Sequence, residues 1–248
     1  MGDDSSRAAT GLAGRNTARS ASSGPASHGA TRPTQREQAA AEARTRILAA
    51  AADCIVREGL AQVRMASIAR TAGVSAGLVH YHFDTKELLF GEVLKYSHAV
   101  SAELNQEAMA GAGEGPAERL SSFLDRCLPS DEQRAAEWLL WQELALLCIR
   151  DPHLAKVGAE LYEDLYVTVA DIVRAGVAAG VFDTTLDPRS LAETAVALTD
   201  GLGARVLAED PNLGIEEARA TIATAVGILV GHDGPLPAPV AFEGGAAG

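Results

Sequence analysis

The sequence predicts an all-α fold of about nine helices, and three observations lead to this prediction. Aromatic residues make up only 4% of the 248 positions and alanine dominates the apolar set, which favours closely packed helices over a β-sandwich. Apolar residues recur at helical spacing between short segments rich in glycine and proline. No segment has the alternating pattern of a convincing strand.

The chain is expected to begin with a disordered tail followed by a long helix. Residues 1–34 are mainly Ala, Gly, Ser, Thr and Arg, which bury too little apolar surface to offset the entropy of ordering. The first helix is predicted over Gln35–Glu58, where apolar residues lie at helical spacing. Gly59 is expected to adopt a left-handed conformation after it, with Leu60 folding back on Ile55 in a Schellman motif.

Two short helices around a tight turn are predicted next, over residues 65–71 and 76–83. Gly73 tolerates the positive φ that the turn needs, and Ser75 has the side-chain oxygen that caps the second helix. The pattern is that of a helix-turn-helix, which is predicted to occupy residues 35–84 together with the first helix.

The second short helix has two chemically different sides. Val79 and Phe83 form an inward i,i+4 pair, whereas Gly77 and Tyr81 lie on the opposite side. A short helix with one apolar side fixed in a core and one small and aromatic side outward suits entry into a DNA major groove. An ordinary αα-hairpin that only packs two helices is the alternative.

Six further helices are expected in a second domain over residues 85–232, and residues 233–248 are expected to be a loose, disordered tail rich in Gly, Pro and Ala. Asp84 and Glu87 are predicted to form the capping box of the first of these helices. Prolines and capping residues begin the others, and glycines or prolines end them. The predicted ranges are 85–110, 116–128, 131–150, 152–180, 188–208 and 215–231.

The net charge of −12 is unevenly distributed. Residues 1–95 have 12 Lys and Arg against 9 Asp and Glu, whereas the rest of the chain has 9 against 24. A basic end on an acidic body would orient the protein as it approaches DNA.

The cysteines and the hydropathy pattern indicate the compartment. Cys54, Cys127 and Cys148 lie far apart, which argues against a disulfide framework or a zinc module and fits a reducing cytoplasm. No apolar run is long enough to span a membrane, and no signal-peptide pattern is present near the first residue. We therefore expect a soluble cytoplasmic protein without a membrane partner.

The segments GVS at 73–75, GLVHYHF at 77–83 and KELL at 86–89 resemble the signature of the tetracycline-repressor (TetR) family of transcriptional regulators. The similarity covers roughly residues 44–94. Family members often open the second helix with Ser or Thr, whereas this chain has Arg64 near that point. Arg64 has no side-chain oxygen for capping, although its guanidinium could reach a phosphate.

The resemblance implies a ligand-responsive regulator, in this family most often a repressor, that a small molecule releases from a palindromic operator on double-stranded DNA. The first three helices would bind DNA, and the remainder would bind the effector and form a homodimer through the last two helices. The expected DNA-binding residues are Ser75 at the helix cap, Ala76, Gly77, Leu78 and Tyr81 at base edges, and Arg64, His80, His82 and Lys86 at phosphates.

The segment WLLWQELALLCIR at 138–150 is the best candidate for an effector pocket. It contains both tryptophans and places two polar residues, one of them a carboxylate, in an apolar run, where an unpaired charge is costly. Aromatic rings near carboxylates are compatible with a cationic or planar effector. The alternative is that the two tryptophans only fill the core and the carboxylate is exposed on the surface. The predicted pocket residues are Phe123, Trp138, Trp141, Gln142, Glu143, Tyr162 and Tyr166.

Apolar stripes on the last two predicted helices are candidates for the dimer interface, although the core of a single subunit would give the same pattern. The stripes consist of Leu191, Ala195, Leu198, Leu202 and Val206 on one helix, and Ile222, Val226, Leu229 and Val230 on the other.

Three other functions are alternatives to DNA binding. GVSAG at 73–77 fits the nucleophile elbow of a serine hydrolase at Ser75, but that motif needs a preceding strand. A helical lyase that uses the Glu143 cavity lacks a visible His–carboxylate pair. A helical scaffold that binds no DNA is the third alternative. No metal or cofactor is expected, because His80 and His82 are two residues apart and point to different sides of a helix.

Overall fold

The computed structural model describes residues 34–111 and 115–239. In these residues the chain forms nine helices and no strand, which confirms the predicted all-α class. No helix in the described ranges is long and apolar enough to cross a membrane. The helices are α1 Gln35–Glu58, α2 Met65–Ala72, α3 Ala76–His82, α4 Lys86–Gly111, α5 Pro116–Arg126, α6 Glu132–Cys148, α7 Pro152–Ala178, α8 Pro188–Leu207 and α9 Ile215–Val230.

The start of α1 is fixed by a capping box. The Thr34 hydroxyl accepts from the Glu37 amide at 3.3 Å, and the Glu37 carboxylate accepts from the Thr34 amide at 2.7 Å. Thr34 therefore belongs to the helix and not to the predicted tail, whose other residues, 1–33, lie outside the described ranges.

The predicted Schellman motif at the end of α1 is wrong. Gly59 has a positive φ of 74°, but its ψ of 146° is not left-handed helical. The Leu60 amide does not return to a carbonyl of α1, because it donates to the Glu143 carboxylate of α6 at 3.2 Å. A Schellman motif closes α2 instead, where Val74 N–H reaches Ala69 O at 3.0 Å after Gly73 at φ 65° and ψ 34°.

The capping box predicted at Asp84 is also wrong. The residue that caps α4 is Thr85, whose hydroxyl accepts from the Leu88 amide at 3.2 Å. Asp84 and Thr85 both have a side-chain oxygen that could cap the helix. Phe83, which is buried in the core, fixes the path of the chain just before α4, and this path determines which of the two becomes the cap.

The described residues pack into two hydrophobic cores. The first is formed by α1 to α4 and includes three residues that α6 and α7 contribute: Leu140, Leu144 and Leu161. The second lies between α5, α7, α8 and α9. The helix-turn-helix unit therefore shares its core with α6, which also has both tryptophans of the chain.

The beginning of the predicted C-terminal tail is ordered, which corrects the expected boundary at residue 233. Leu236 is buried in the second core, and its amide donates to Ala223 O of α9 at 3.0 Å. Ser121 of α5 donates to Pro237 O at 2.6 Å. A cavity of about 280 Å³ lies between this segment, α5 and α9. Residues 240–248 lie outside the described ranges.

Candidate DNA-binding surface and effector site

The outward side of α3 is small at one end and aromatic at the other. Ser75 caps this helix, and its hydroxyl accepts from the Leu78 amide at 3.1 Å. Tyr81 is 76% exposed, whereas Val79 is fully buried, as the predicted helical phase requires. The other exposed residues of α3 are Ala76, Gly77 and His80, and Leu78 is half-buried. The outer side is therefore free to meet another molecule.

The four residues predicted at phosphates have different environments. Arg64 precedes α2, is exposed and makes no side-chain cap. His80 is exposed, whereas His82 has a buried Nε2 atom without a partner in the described part of the chain. The Lys86 ammonium donates to Leu60 O at 3.2 Å and lies 5.2 Å from the centroid of the Phe90 ring. Lys86 is therefore already engaged within the protein.

The hydrolase alternative at Ser75 does not match its required context. The residues before Ser75 form helix α2, not the strand from which a nucleophile elbow turns. The Ser75 hydroxyl oxygen already accepts a hydrogen bond from the Leu78 amide.

A second site is centred on Asp200 of α8. The Tyr162 hydroxyl donates to Asp200 Oδ2 at 2.9 Å, and the rings of Tyr162 and Tyr166 have centroids 5.9 Å apart. Burial raises the pKa of the Asp200 carboxyl, and the Tyr162 hydrogen bond opposes this. Burial also raises the pKa of the Tyr162 phenol, and the Asp200 charge adds to that effect.

Trp138 lies in the same neighbourhood. Its indole N–H donates to Cys127 O at 3.0 Å, and its ring packs so closely on Gly203 that an added Cβ would lie 2.4 Å from Cζ2. Burial raises the pKa of the Cys127 thiol to about 12, and the Asp200 charge raises it further, so this thiol is not a nucleophile at neutral pH.

Trp141 has a different set of neighbours. Its ring meets the edge of His98 with centroids 6.3 Å apart, and His98 Nε2 lies 3.6 Å from an Asp164 oxygen. Burial lowers the pKa of His98 below its ordinary value, and the Asp164 charge acts in the opposite direction.

Four of the seven residues predicted for the pocket have other neighbours, and Trp141 beside His98 is one of them. Phe123 is buried in the second core, and Gln142 is exposed. The Glu143 carboxylate accepts from the Leu60 amide. The structure brings Tyr162 and Tyr166 to the Asp200 carboxylate, and Trp138 packs on the same helix one turn away at Gly203. The carboxylate at these rings is Asp200 and not Glu143.

Asp200, His98 and Arg189 were missed in the sequence. Asp200 interrupts an otherwise apolar helix, AVALTDGLGA at 195–204, which is the signal that applied to Glu143 and could have found it. The Arg189 guanidinium lies 4.6 Å from the Tyr166 ring centroid and pairs with Glu163 and Glu193. Nothing in its local sequence distinguishes Arg189 from a solvated arginine.

The apolar stripes of α8 and α9 pack at least partly within the subunit. Five of their residues are buried in the second core, namely Leu191, Ala195, Ile222, Val226 and Val230, and three others are half-buried against it, namely Leu198, Leu202 and Leu229. Val206 is half-buried. The buried members therefore belong to the core of the subunit, and a homodimer interface on the last two helices stays a prediction. The exposed residues of α8 are Ser190, Glu193, Thr194, Ala197, Gly201 and Arg205, and those of α9 are Glu216, Glu217, Ala220, Thr221, Thr224 and Ile228.

Comparison with known proteins agrees with this arrangement. Residues 47–93 match the family model described as bacterial regulatory proteins of the tetR family, and residues 116–231 match the BetI-type transcriptional repressor C-terminal model. The chain belongs to the TetR family of transcriptional regulators. TetR-family regulators of this type bind DNA and repress transcription, which is the function that the sequence resemblance implied.

Individual relatives are moderately similar. The chain is 28% identical over 186 residues to the HTH-type transcriptional regulator BetI of Agrobacterium fabrum, covering 72% of this chain and 84% of the relative. A putative TetR-family regulator from Rhodococcus sp. matches with 27% identity and a TM-score of 0.68, covering 77% and 99%. A putative transcriptional regulator from Saccharomonospora viridis, solved in complex with choline, matches with 29% identity and a TM-score of 0.67, covering 73% and 94%.

Proposed function

We propose that this TetR-family protein is a repressor released from its operator by a small organic cation of the choline class, bound beside Asp200. The observation that carries the proposal is a half-buried carboxylate that accepts from Tyr162 of α7 beside Tyr166, with Trp138 of α6 packed one turn further along α8 at Gly203. A quaternary ammonium ion has no N–H donors, so it is recognised by aromatic faces and by a negative charge. This cluster offers both.

The Tyr166 ring supports a cationic ligand in a second way. One of its faces already holds a cation in the folded protein, because the Arg189 guanidinium lies over it at 4.6 Å. The complex of the Saccharomonospora viridis relative with choline also supports this ligand class.

The test is a titration with choline, followed by tryptophan fluorescence. Trp138 and Trp141 are the only tryptophans, so fluorescence reports on α6. We expect saturable binding of choline and none of 3,3-dimethylbutan-1-ol, which has the same shape with carbon in place of the charged nitrogen. Equal binding of both compounds, or of neither, would refute a cation site.

We further propose that two subunits associate through the exposed sides of α8 and α9. Away from the charged residues nearer the helix ends, those sides consist of small residues and Ile228, which is 75% exposed, and small residues allow helices to approach closely. A dimer with two copies of α3 would recognise a palindromic operator, because the two half-sites reflect the two-fold axis. As a DNA-binding regulator it would act in the cytoplasm.

The chain provides a matched pair for testing the dimer. Ile228→Glu should convert the protein to monomers in sedimentation analysis and weaken operator binding. Ile149→Glu, at an isoleucine that is 80% exposed just after α6, should leave the dimer intact. A dimer that survives Ile228→Glu but not Ile149→Glu would place the interface elsewhere.

A further inference from the structure

Both backbone polar groups of one residue in the helix-turn-helix unit, Leu60, are bound by side chains from the rest of the chain. The Leu60 N–H donates to Glu143 Oε2 at 3.2 Å, and Leu60 O accepts from Lys86 Nζ at 3.2 Å. Leu60 lies in the loop between α1 and α2, Lys86 is the first residue of α4, and Glu143 is in α6. We call this arrangement the Leu60 clamp.

The clamp replaces a local hydrogen bond by long-range ones. At the end of α2 the corresponding amide, that of Val74, returns to its own helix in the Schellman motif. After α1, the backbone angles of Gly59 turn the Leu60 amide away from α1. A loop amide whose acceptor lies in another domain couples the position of the loop to that domain.

The clamp is supported by packing on both sides. The Leu60 side chain is buried in the first core, which also contains Leu140 and Leu144 of α6. The Lys86 ammonium lies over the ring of Phe90, itself a member of this core. The carboxylate at the Leu60 N–H and the ammonium at the Leu60 C=O belong to ionisable side chains, so both hydrogen bonds are charge-assisted.

The same helix links the clamp to the candidate effector site. Trp138, which packs on α8 at Gly203, and Glu143 are five residues apart on α6, or about 7.5 Å along the helix axis. A shift of α6 at Trp138 therefore moves the Glu143 carboxylate relative to Leu60. Hydrogen bonds weaken steeply with distance and angle, so a small shift is enough to change the clamp.

We propose that Glu143 and Lys86 are positioning residues, which hold the α1–α2 loop in the arrangement that binds DNA, and that the effector acts by drawing Glu143 away from Leu60. The second half of this proposal rests on the proposed function of the Asp200 site. Neither residue needs to touch the effector, and the clamp replaces the roles first predicted for them, a ligand carboxylate and a phosphate contact.

The test compares three variants on α6 for binding to an operator fragment, with and without choline. Glu143→Ala removes the acceptor, Glu143→Gln keeps an acceptor oxygen, and Gln142→Ala changes the exposed neighbour. We expect Glu143→Ala to weaken DNA binding about tenfold without choline, with little further loss when choline is added. Glu143→Gln and Gln142→Ala should stay close to the unsubstituted protein in both conditions.

Choline binding by fluorescence is measured on the same samples, so that the two proposals fail separately. If Glu143→Ala weakens DNA binding but the unsubstituted protein does not bind choline, the clamp is supported and the choline site is refuted. Normal DNA binding and a normal choline response in Glu143→Ala would overturn the clamp. Hydrogen exchange of residues 59–64, faster in Glu143→Ala than in Glu143→Gln, distinguishes a released loop from general unfolding.

Lys86→Met provides a variant at the carbonyl of Leu60. It keeps an apolar side chain of similar length, and it removes both the donor to Leu60 O and the ammonium over the Phe90 ring. The clamp predicts weaker DNA binding with an unchanged dependence on salt. A fall of the salt slope by about 1, as for a lost phosphate contact, would show that Lys86 binds DNA directly and overturn its part in the clamp.

Discussion

Tyr162 of α7 and Asp200 of α8 are joined by a hydrogen bond of 2.9 Å between the phenol hydroxyl and Oδ2. The bond places a half-buried carboxylate beside aromatic rings, in an environment that raises its pKa. A carboxylate in this position costs stability when it is charged, and that cost is offset when a bound cation neutralises it. The charge of Asp200 is therefore unfavourable for folding but favourable for binding a cation.

Asp200→Asn is predicted to weaken choline binding without destabilising the protein. The amide still accepts from Tyr162, but the negative charge is lost, which should reduce affinity by about tenfold to a hundredfold. The raised pKa means that the contribution of Asp200 to stability is present at low pH and is lost as the pH rises through its folded pKa. The melting temperature of Asp200→Asn, relative to that of the unsubstituted protein, should therefore rise between about pH 4 and pH 7. A variant that is less stable at neutral pH but binds choline normally would give Asp200 a structural role only.

Gly203→Ala is predicted to displace Trp138. The new Cβ would lie 2.4 Å from the indole ring, so the ring must move, and the fluorescence spectrum and choline affinity should change. Gly201→Ala, two residues earlier on α8, is the control, because its Cβ would meet nothing within 4 Å in the subunit. Identical spectra for the two variants would contradict the packing of α6 on α8.

Tryptophan fluorescence is predicted to change as His98 takes up a proton. Burial lowers the pKa of His98 below 6.5, so the protein should show a transition below that pH as the charged imidazole quenches the adjacent Trp141 ring. Because the folded pKa is depressed, the associated stability is present above the unfolded pKa and is lost as the pH falls. Trp141→Phe should abolish the transition and Trp138→Phe should keep it. A midpoint above 6.5 would mean that the Asp164 charge outweighs burial.

Tyr81→Ala is predicted to abolish operator binding and leave the melting temperature nearly unchanged, because the Tyr81 side chain is 76% exposed. Phe83→Ala, two residues later, is the opposite case. Phe83 is only 3% exposed in the first core, so its loss should cost about 3–5 kcal/mol of unfolding free energy. Equal losses of stability in calorimetry would place Tyr81 in the core and refute the orientation of α3.

Features determined by neighbouring residues could be predicted from the sequence. The bounds of α1, the Ser75 cap and the positive φ of Gly73 depend on residues within one turn, so local patterns were sufficient. The other helix ends lie within about one turn of their predicted positions.

Features that depend on tertiary contacts could not be predicted. Asp84 and Thr85 are equally suitable caps, and only the packing before α4 selects Thr85. Leu236 stands in a segment rich in Gly and Pro, yet it is ordered by a groove between α5 and α9 that no local pattern describes. Glu143 and Asp200 are both carboxylates in apolar helices, and only the fold shows that one meets a backbone amide and the other a phenol.

A cation bound beside Asp200 is proposed to release this TetR-family protein from DNA. To measure this, the protein selects DNA from a random duplex pool, and binding of the selected fragment is then followed by fluorescence anisotropy while choline is added. We expect a palindrome to be selected and choline to lower the affinity in a saturable way. We also expect Asp200→Asn to bind the fragment but to need a higher choline concentration for release. Selection of no palindrome, or release of Asp200→Asn at the same choline concentration as the unsubstituted protein, would contradict the proposal.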